Sequence, residues 1–212
     1  MKSAPAPPFA AAVLAGGRSS RFGTDKALLP WAGRRLLDRQ LDLLRGLGPA
    51  ELLVSGRPDV DYAVPGARVV LDPEPDLGPL GGLAAVLGAI SAPHVVVLAV
   101  DLPAMTPEFL RHLLAQRAAG TGVVPRTAAG WEPLAAVYPR EILPLVHRHL
   151  QRRQLAVHRL LEAAVAAGLL LDAPVPAAHV DLFRNVNTRR DLPAPVRSRK
   201  NPADKSPAAR NS

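Results

Sequence analysis

The chain has 212 residues, of which 48% are hydrophobic and 4% aromatic, with a formal net charge of +8 and no cysteine. This length fits one domain with additional terminal segments. The lack of cysteine excludes disulfides and thiolate metal sites. A core of Leu, Val and Ala suits buried parallel strands covered by helices better than a β-sandwich.

The basic charge suggests a nucleic-acid partner, so its distribution matters. Residues 193–212 carry five Lys or Arg and one Asp, which is half of the net charge, in a stretch rich in Pro, Ala, Ser and Asn. This composition predicts a disordered tail. No basic stretch in the rest of the chain alternates with aromatic residues as a base-stacking surface would, so we expect no nucleic-acid partner.

The apolar stretches bear on membrane attachment and location. None approaches the roughly 20 residues that a helix needs to cross a bilayer, so no membrane partner is expected. The start resembles a signal peptide faintly, but prolines at 5, 7 and 8 interrupt it. We interpret residues 1–8 as a flexible terminus and the apolar run after them as a first strand. A reducing cytoplasmic location is expected, because the absence of cysteine permits it.

Strands and helices alternate along residues 9–192, which we interpret as a single domain. Short apolar runs bounded by turn residues predict strands at residues 10–15, 51–55, 68–71, 94–100, 122–125, 133–138 and 175–180. Apolar residues at helical spacing predict helices at residues 36–47, 80–90, 107–118, 140–150 and 155–167. This alternation predicts an α/β fold, a Rossmann-like doubly wound and mostly parallel sheet with helices on both faces.

Three polar groups follow predicted strands directly. A glycine loop begins at Gly16 after the first strand, Ser55 ends the second, and Asp101 follows the apolar run HVVVLAV. Ligands in such sheets bind beyond the carboxyl ends of the strands. We therefore expect these three groups to form one site.

The glycine loop reads VLAGGRSSRFGTDK over residues 13–26. Gly16 and Gly17 allow backbone to approach a ligand closely, and successive N–H groups there can bind an anion. Arg18, Arg21 and Lys26 would offset the roughly four negative charges of a triphosphate. The spacing matches neither the Walker A loop nor the dinucleotide-binding glycine pattern. Taken alone, the loop could also be a tight turn with solvated charges.

Five segments, in order along the chain, carry a family resemblance. The first, residues 14–26, is similar to L-A-G-G-x-S-x-R-M-G-x-D-K, with Phe22 in place of the usual Met. The others are LDPEPDLGPLGGL (71–83), VDLPAM (100–105), WEPLAAVY (131–138) and FRNVNT (183–188). Together they resemble the nucleotidyltransferases that act on the molybdenum cofactor, over residues 10–192. Gly81 stands for the family's Ala, and Arg189 follows Thr188 where the family has Pro.

The resemblance implies a reaction and its partners. It implies that GTP and molybdopterin-bound molybdenum give a guanine dinucleotide cofactor and pyrophosphate, with Mg²⁺ required. Molybdoenzymes or their chaperones would receive the product. A related transferase that uses CTP, or another NTP on a sugar phosphate, remains an alternative, as does a non-catalytic nucleotide-binding module. Gly17 and the sequence GPLGGL favour the guanylyl branch by analogy.

Residue roles follow from the same resemblance. Lys26, Asp101 and Arg21 are the catalytic candidates, with Asp101 as the Mg²⁺ ligand. Asn185 and Asn187 would complete the acceptor side, facing the same way on an extended segment. The nucleotide-binding candidates are Leu14, Ala15, Gly16, Gly17, Lys26, Ser55, Asp72 and Asp101.

Elementary chemistry agrees with these roles. Nucleotidyl transfer is an in-line attack on phosphorus, and a phosphate nucleophile is already ionised at neutral pH. The enzyme therefore needs charge neutralisation and alignment rather than a strong base. Mg²⁺ takes one or two protein carboxylates together with phosphates and waters, so Asp101 alone suffices. The local alternatives are a helix-capping Asp101, a turn aspartate at Asp72 and an ordinary Asn-rich turn. The six histidines are interpreted as structural or solvated.

Overall fold

The structure is a computed structural model and describes residues 7–16, 25–72, 74, 76–186 and 191. The strands in these ranges are β1 (Ala10–Leu14), β2 (Pro30–Trp31), β3 (Arg34–Arg35), β4 (Glu51–Gly56), β5 (Arg68–Leu71), β6 (His94–Ala99), β7 (Gly122–Thr127), β8 (Gly130–Trp131), β9 (Ala135–Pro139) and β10 (Leu170–Pro174). The α-helices are α1 (Leu36–Arg45), α2 (Pro79–Ala89), α3 (Pro107–Gln116), α4 (Leu143–Gln151) and α5 (Val157–Ala166). Short 3₁₀ helices cover Lys26–Leu28, Arg140–Ile142 and Ala177–Phe183.

The main sheet of the described region has the strand order β10-β7-β9-β6-β1-β4-β5, with β8 paired to β7. β1 is central and runs parallel to β4 and β6, while β9 runs antiparallel to β6 and β7. In this register Leu14 pairs with both Ser55 and Ala99. The three central strands therefore end at one level, and the prediction of a mostly parallel α/β sheet is confirmed.

Helices cover both faces of the sheet. Because successive side chains of a strand point to opposite faces, Ala11 and Val13 of β1 lie in one apolar cluster and Ala10, Ala12 and Leu14 in another. The first cluster includes the buried leucines of α1 and α3, and the second includes those of α2, α4 and α5. The doubly wound arrangement is confirmed by this division of the core.

Local sequence features explain where two helices begin, beyond the carboxyl ends of the strands that precede them. Thr106 precedes α3, and its hydroxyl accepts a hydrogen bond from the N–H of Phe109 while Pro107 takes the first helical position. α2 begins with Pro79 after Gly78, whose φ of +60° is a conformation that favours glycine. Both helices begin within one residue of the position predicted from the sequence.

The predicted last strand at residues 175–180 is wrong. The strand is Leu170–Pro174, which pairs in parallel with β7, and Ala177–Phe183 forms a 3₁₀ helix instead. Pro174 and Pro176 lack the N–H groups that a longer ladder requires. The short strands β2, β3 and β8 were not predicted, because two-residue pairings have no periodic signal.

The expected domain limits remain predictions. Residues 1–6 and the basic tail at 193–212 lie outside the described residues. Over the ranges that the structure describes, no helix has both the length and the apolar composition required to cross a bilayer.

The start of β7 gives a test of the packing. A Cβ atom added at Gly122 would overlap the carbonyl oxygen of Val137 and lie 2.7 Å from Cδ of Pro139. We expect Gly122→Ala to lower the free energy of unfolding by about 2–3 kcal/mol, since the strands would have to separate. The measurement is urea unfolding followed by circular dichroism.

Gly88 provides the matched control. It is exposed within α2, and no atom lies within 4 Å of an added Cβ there. Gly88→Ala should raise the free energy of unfolding by about 0.5–1 kcal/mol, because alanine is the better helix former. Equal effects of the two substitutions would contradict the packing described for β7.

Candidate active site

A cavity of about 200 Å³ lies at the carboxyl ends of β1 and β6. Its lining residues come from the loop after β1, the start of α2 and the turn after β6: Leu14, Ala15, Gly16, Lys26, Gly78, Pro79, Ala99, Val100, Asp101 and Leu134. The structure thus brings Gly16, Lys26 and Asp101 together at the place where a parallel sheet binds ligands.

Backbone bonds hold the start of the glycine loop against β4. The N–H groups of Ala15 and Gly16 both donate to the carbonyl of Ser55, at 2.8 and 3.1 Å. The N–H of Val100 donates to the carbonyl of Leu14 at 3.1 Å. These N–H groups are therefore engaged within the protein. The predicted contributions of Gly17, Arg18 and Arg21 lie outside the described residues.

Ser55 and Asp72 form a polar pair beside this loop. The buried Ser55 hydroxyl donates to Oδ1 of Asp72 at 2.9 Å. A Cβ atom at Gly16 or at Gly81 would lie 3.4 Å from Oδ2 of Asp72, so both glycines pack closely beside that oxygen. Burial raises the pKa of the Asp72 carboxyl, and the hydrogen bond from Ser55 opposes that shift.

Glycines near the start of helix α2 leave room for the Ser55–Asp72 pair. A Cβ at Gly82 would come within 2.6 Å of the Ser55 hydroxyl oxygen. The glycines of the LGPLGGL stretch therefore admit the Ser55–Asp72 pair under the start of α2, where a larger residue would displace it.

Lys26 and Asp101 form an ion pair in the cavity. Nζ of Lys26 lies 3.2 Å from Oδ2 of Asp101, and each side chain is 21% exposed. Asp25 positions the lysine, because its Oδ1 accepts from the N–H of Ala27 at 2.8 Å and caps the 3₁₀ turn Lys26–Leu28. The motif residues Asp25 and Lys26 thus have different tasks, one structural and one facing the cavity.

Tyr62 holds the capping residue Asp25 by a hydrogen bond. Its hydroxyl donates to Oδ2 of Asp25 at 3.2 Å and accepts from the N–H of Arg57 at 3.1 Å. Burial raises the pKa of Tyr62 to about 12, so the hydroxyl stays protonated at neutral pH. The ring packs directly over Gly56 at the end of β4, where any Cβ would overlap it. Lys26 is therefore held through Tyr62 by the carboxyl end of β4.

The C-terminal segment returns to the Asp101 turn. The N–H of Val186 donates to the backbone carbonyl of Asp101 at 2.9 Å. Phe183 anchors the segment, with its buried ring 5.4 Å from that of Phe109 in an edge-to-face contact. Asn185 is exposed beside this attachment, and Asn187 lies outside the described residues. Asn185 thus directly precedes the residue that is attached to the Asp101 turn, and its predicted role toward the acceptor stays a prediction.

The described residues offer only small sets of ligands to a metal ion. Over these ranges, no group of three or more His, Cys, Asp or Glu side chains could hold a metal ion. Asp101 is a single, partly buried carboxylate at a cavity. That donor set suits a hard cation that completes its coordination with phosphate oxygens and water.

A second, wider depression of about 430 Å³ lies at the amino ends of β4 and β5. Its polar side chains are engaged within the protein: Glu51 accepts from the N–H groups of Ser91 and Ala92 at 2.8 and 2.9 Å. Arg68 donates to the carbonyl of Ala89. The smaller cavity at the carboxyl ends is the better candidate site.

Comparison with known proteins agrees with this geometry. The family model described as the MobA-like NTP transferase domain matches residues 11–168. The chain belongs to the MobA-like NTP transferase family. This span includes β1, the Lys26 turn and the Asp101 turn, and the chain is therefore a nucleotidyltransferase by family.

Similar proteins extend this result. The chain is 39% identical over 166 residues to a probable molybdenum cofactor guanylyltransferase of Opitutus terrae, covering 77% of this chain and 82% of that protein. It is 37% identical to a probable molybdenum cofactor guanylyltransferase of Deinococcus radiodurans, covering 87% and 92%. In fold it is similar to the crystal structure of molybdopterin-guanine dinucleotide biosynthesis protein A from Archaeoglobus fulgidus. That match has a TM-score of 0.68 and 24% identity, covering 86% and 94% of the two chains.

Two residues that support the site were missed at the sequence level. Tyr62 lies in the turn-rich link between β4 and β5, and nothing in its local pattern indicates a contact with Asp25. Gln40 had a usable signal, because it is a polar residue on the otherwise apolar stripe of α1. Its contacts with the Asp101 turn are described below.

Asp72 makes a testable contribution to the pH dependence of stability. Its raised folded-state pKa means that ionisation of Asp72 disfavours folding. The contribution of Asp72 to the free energy of unfolding is therefore lost as the pH rises above 3.8, the ordinary pKa of the carboxyl. Asp72→Asn removes that loss and can still accept from Ser55. Relative to the native protein, its free energy of unfolding should increase between about pH 4 and neutral pH. Urea unfolding across that range is the measurement.

Asp59 is the matched control for this experiment. It is fully exposed, and the Arg57 guanidinium lowers the pKa of its carboxyl, so its titration lies below the ordinary value of 3.8. The difference between Asp59→Asn and the native protein should therefore stay flat over the same range. A flat profile for Asp72→Asn as well would show that burial of its carboxylate does not affect folding.

Proposed function

We propose that this nucleotidyltransferase transfers GMP from GTP to the terminal phosphate of molybdopterin-bound molybdenum and releases pyrophosphate, with Mg²⁺ as cofactor. The observation that carries the proposal is the Lys26–Asp101 pair in the cavity at the carboxyl ends of β1 and β6. Relatives of 37% and 39% identity that are named probable molybdenum cofactor guanylyltransferases support the choice of nucleotide and acceptor.

The Ser55–Asp72 pair supports a nucleoside position. Oδ1 of Asp72 already accepts from Ser55, whereas Oδ2 lies next to Gly16, which lines the cavity. A carboxylate oxygen in such a place can accept from the N–H groups of a purine or from ribose hydroxyls. Burial strengthens that hydrogen bond by lowering the local dielectric constant. We assign this end of the cavity to the nucleoside.

The Lys26–Asp101 pair supports a phosphate position. A terminal phosphate is ionised at neutral pH, so the attack on the α-phosphorus requires alignment and charge neutralisation. Lys26 would supply a positive charge to the triphosphate. Asp101 is the residue that would hold Mg²⁺, which when bound would neutralise further phosphate charge. In the structure the two side chains form an ion pair at 3.2 Å.

The dimensions and surroundings of the site fit a two-substrate reaction. The cavity of about 200 Å³ is smaller than the 300–1,000 Å³ of typical ligand pockets, so it would enclose only part of a nucleoside triphosphate. Asn185 next to the Asp101 turn, with Asn187 two residues further on, would face the acceptor. We place the reaction in the cytoplasm, with molybdoenzymes or their chaperones as recipients of the product.

Nucleotide choice can be tested by pyrophosphate release. With Mg²⁺ and molybdenum-loaded molybdopterin, GTP should give turnover, and ATP, CTP and UTP should give little. Preference for CTP would contradict the proposed nucleotide, and no turnover with any nucleotide would indicate a binding module.

Asp101→Asn should lower kcat by about 100-fold or more, because the metal carboxylate is lost. Asp59→Asn, an exposed and ion-paired aspartate, is the control and should leave turnover unchanged.

The ion pair leads to a second expectation about ligand binding. Because Lys26 occupies Oδ2 of Asp101, Lys26→Met should strengthen the binding of Mn²⁺ alone by several-fold, on the order of one kcal/mol or less. The same substitution should weaken GTP binding by about tenfold or more, since a phosphate contact is lost. Electron paramagnetic resonance of Mn²⁺ and calorimetry of GTP measure the two effects.

Arg34→Met is the control for this pair of measurements. Arg34 of β3 lies 2.7 Å from Asp42 of α1 in an exposed ion pair, and it does not line the cavity. It should change neither affinity. If Lys26→Met weakened Mn²⁺ binding instead, the lysine would not compete with the metal for Asp101.

A further inference from the structure

Helix α1 buries a polar side chain in the middle of its apolar face. Gln40 is 0% exposed and shares that face with leucines 36, 37, 41 and 44. Burying an amide without hydrogen bonds costs about 1–3 kcal/mol in proteins. Leucine or methionine would fill the same volume without this cost, so the position calls for a specific explanation.

The contacts of Gln40 supply one. Its Nε2 donates to the carbonyl of Leu102 at 2.8 Å and to that of Ala99 at 3.3 Å. These two carbonyls lie on either side of Val100 and Asp101. A single buried amide group therefore links both ends of the turn that carries the Asp101 carboxylate.

Backbone bonds also hold the turn, since Val100 donates to the carbonyl of Leu14 at 3.1 Å and Val186 donates to the carbonyl of Asp101 at 2.9 Å. The turn's own backbone bond, from the N–H of Leu102 to the carbonyl of Ala99, is long at 3.5 Å. The neighbouring helix residue Arg39 donates from Nε to the carbonyl of Pro103 at 2.8 Å. Side chains of α1 thus bind the carbonyls at both ends of the turn, in addition to the backbone bonds made by Val100 and Asp101.

We infer that Gln40 is a positioning residue for Asp101: it fixes the turn after β6 so that the carboxylate stays directed at the Lys26 end of the cavity. Gln40 does not line the cavity, so it acts through the backbone rather than on the substrates. The inference rests on the proposed function, in which Asp101 holds the metal. A misplaced carboxylate binds metal less tightly, because ligand orientation depends on such supporting hydrogen bonds.

His94 offers a matched control at the other end of the same strand. It is 1% exposed, and its Nε2 lies 2.9 Å from the carbonyl of Ala118 and 3.2 Å from that of Thr121. Like Gln40, it is a buried side chain that joins two carbonyl groups of one loop. Unlike Gln40, it is at the amino end of β6, away from the cavity.

The experiment compares Gln40→Met with His94→Met. Methionine keeps an apolar side chain of similar size and removes the donor. Mn²⁺ binding is measured by electron paramagnetic resonance in the presence of a non-hydrolysable GTP analogue. Gln40→Met should weaken Mn²⁺ binding by roughly tenfold and lower kcat more than it changes KM for GTP. His94→Met should lose thermal stability while its Mn²⁺ affinity stays at the native value.

Four further results decide the outcome. Native Mn²⁺ affinity in Gln40→Met overturns the inference, and so does an equal loss in His94→Met. If Gln40→Met does not fold, Gln40→Leu replaces it, and native Mn²⁺ affinity in that variant overturns the inference as well. Asp101→Asn is measured in parallel: if it keeps native Mn²⁺ affinity, the metal assignment of the proposed function is wrong, which separates that failure from this one.

Discussion

The parallel register of β1 between β4 and β6 is the constraint on which the site depends. Leu14 pairs with Ser55 on one side and with Ala99 on the other, so three strands end at the same level. The residues that follow these ends are then forced into one small volume. Gly16, Ser55 and Asp101 come from distant parts of the chain, and only this register brings them together.

The residues at the carboxyl end of β4 make more supporting contacts than any sequence motif indicates. The Ser55 carbonyl holds the N–H groups of Ala15 and Gly16, and its hydroxyl holds Asp72. The adjacent Gly56 admits the ring of Tyr62, whose hydroxyl supports the Asp25 cap next to Lys26. Two consecutive residues thus position both the nucleoside end and the lysine of the proposed phosphate end.

Charge in the cavity is balanced within the protein. Lys26 and Asp101 are each 21% exposed and lie 3.2 Å apart, so neither is an isolated charge in a partly buried place. The attraction between the two charges offsets part of the desolvation cost of each ion. In the proposed function, a ligand that carries both phosphate and metal would separate the pair, because it offers each side chain a partner of opposite charge.

Much of the fold was accessible from the sequence because its signals are local. Buried parallel strands give continuous apolar runs such as HVVVLAV, and α1 shows helical spacing. The last strand was misplaced because the apolar residues of 169–180 continue across two prolines, and the pairing partner rather than the pattern selects Leu170–Pro174. The site residues Lys26, Ser55, Asp72 and Asp101 were named from strand ends and motif resemblance. In the structure Lys26 and Asp101 line one cavity, and the Ser55–Asp72 pair lies beside Gly16 at its edge.

By itself, the sequence determined the strand–helix order and which charged residues follow which strands, because these depend on neighbours in the chain. The tertiary structure alone decided that the N–H groups of Ala15 and Gly16 face Ser55, that Tyr62 supports Asp25, and that Gln40 holds the Asp101 turn. These are hydrogen bonds between residues 37 to 62 positions apart. Their geometry is set by the packing of α1 and β4 around β1, which no local pattern encodes.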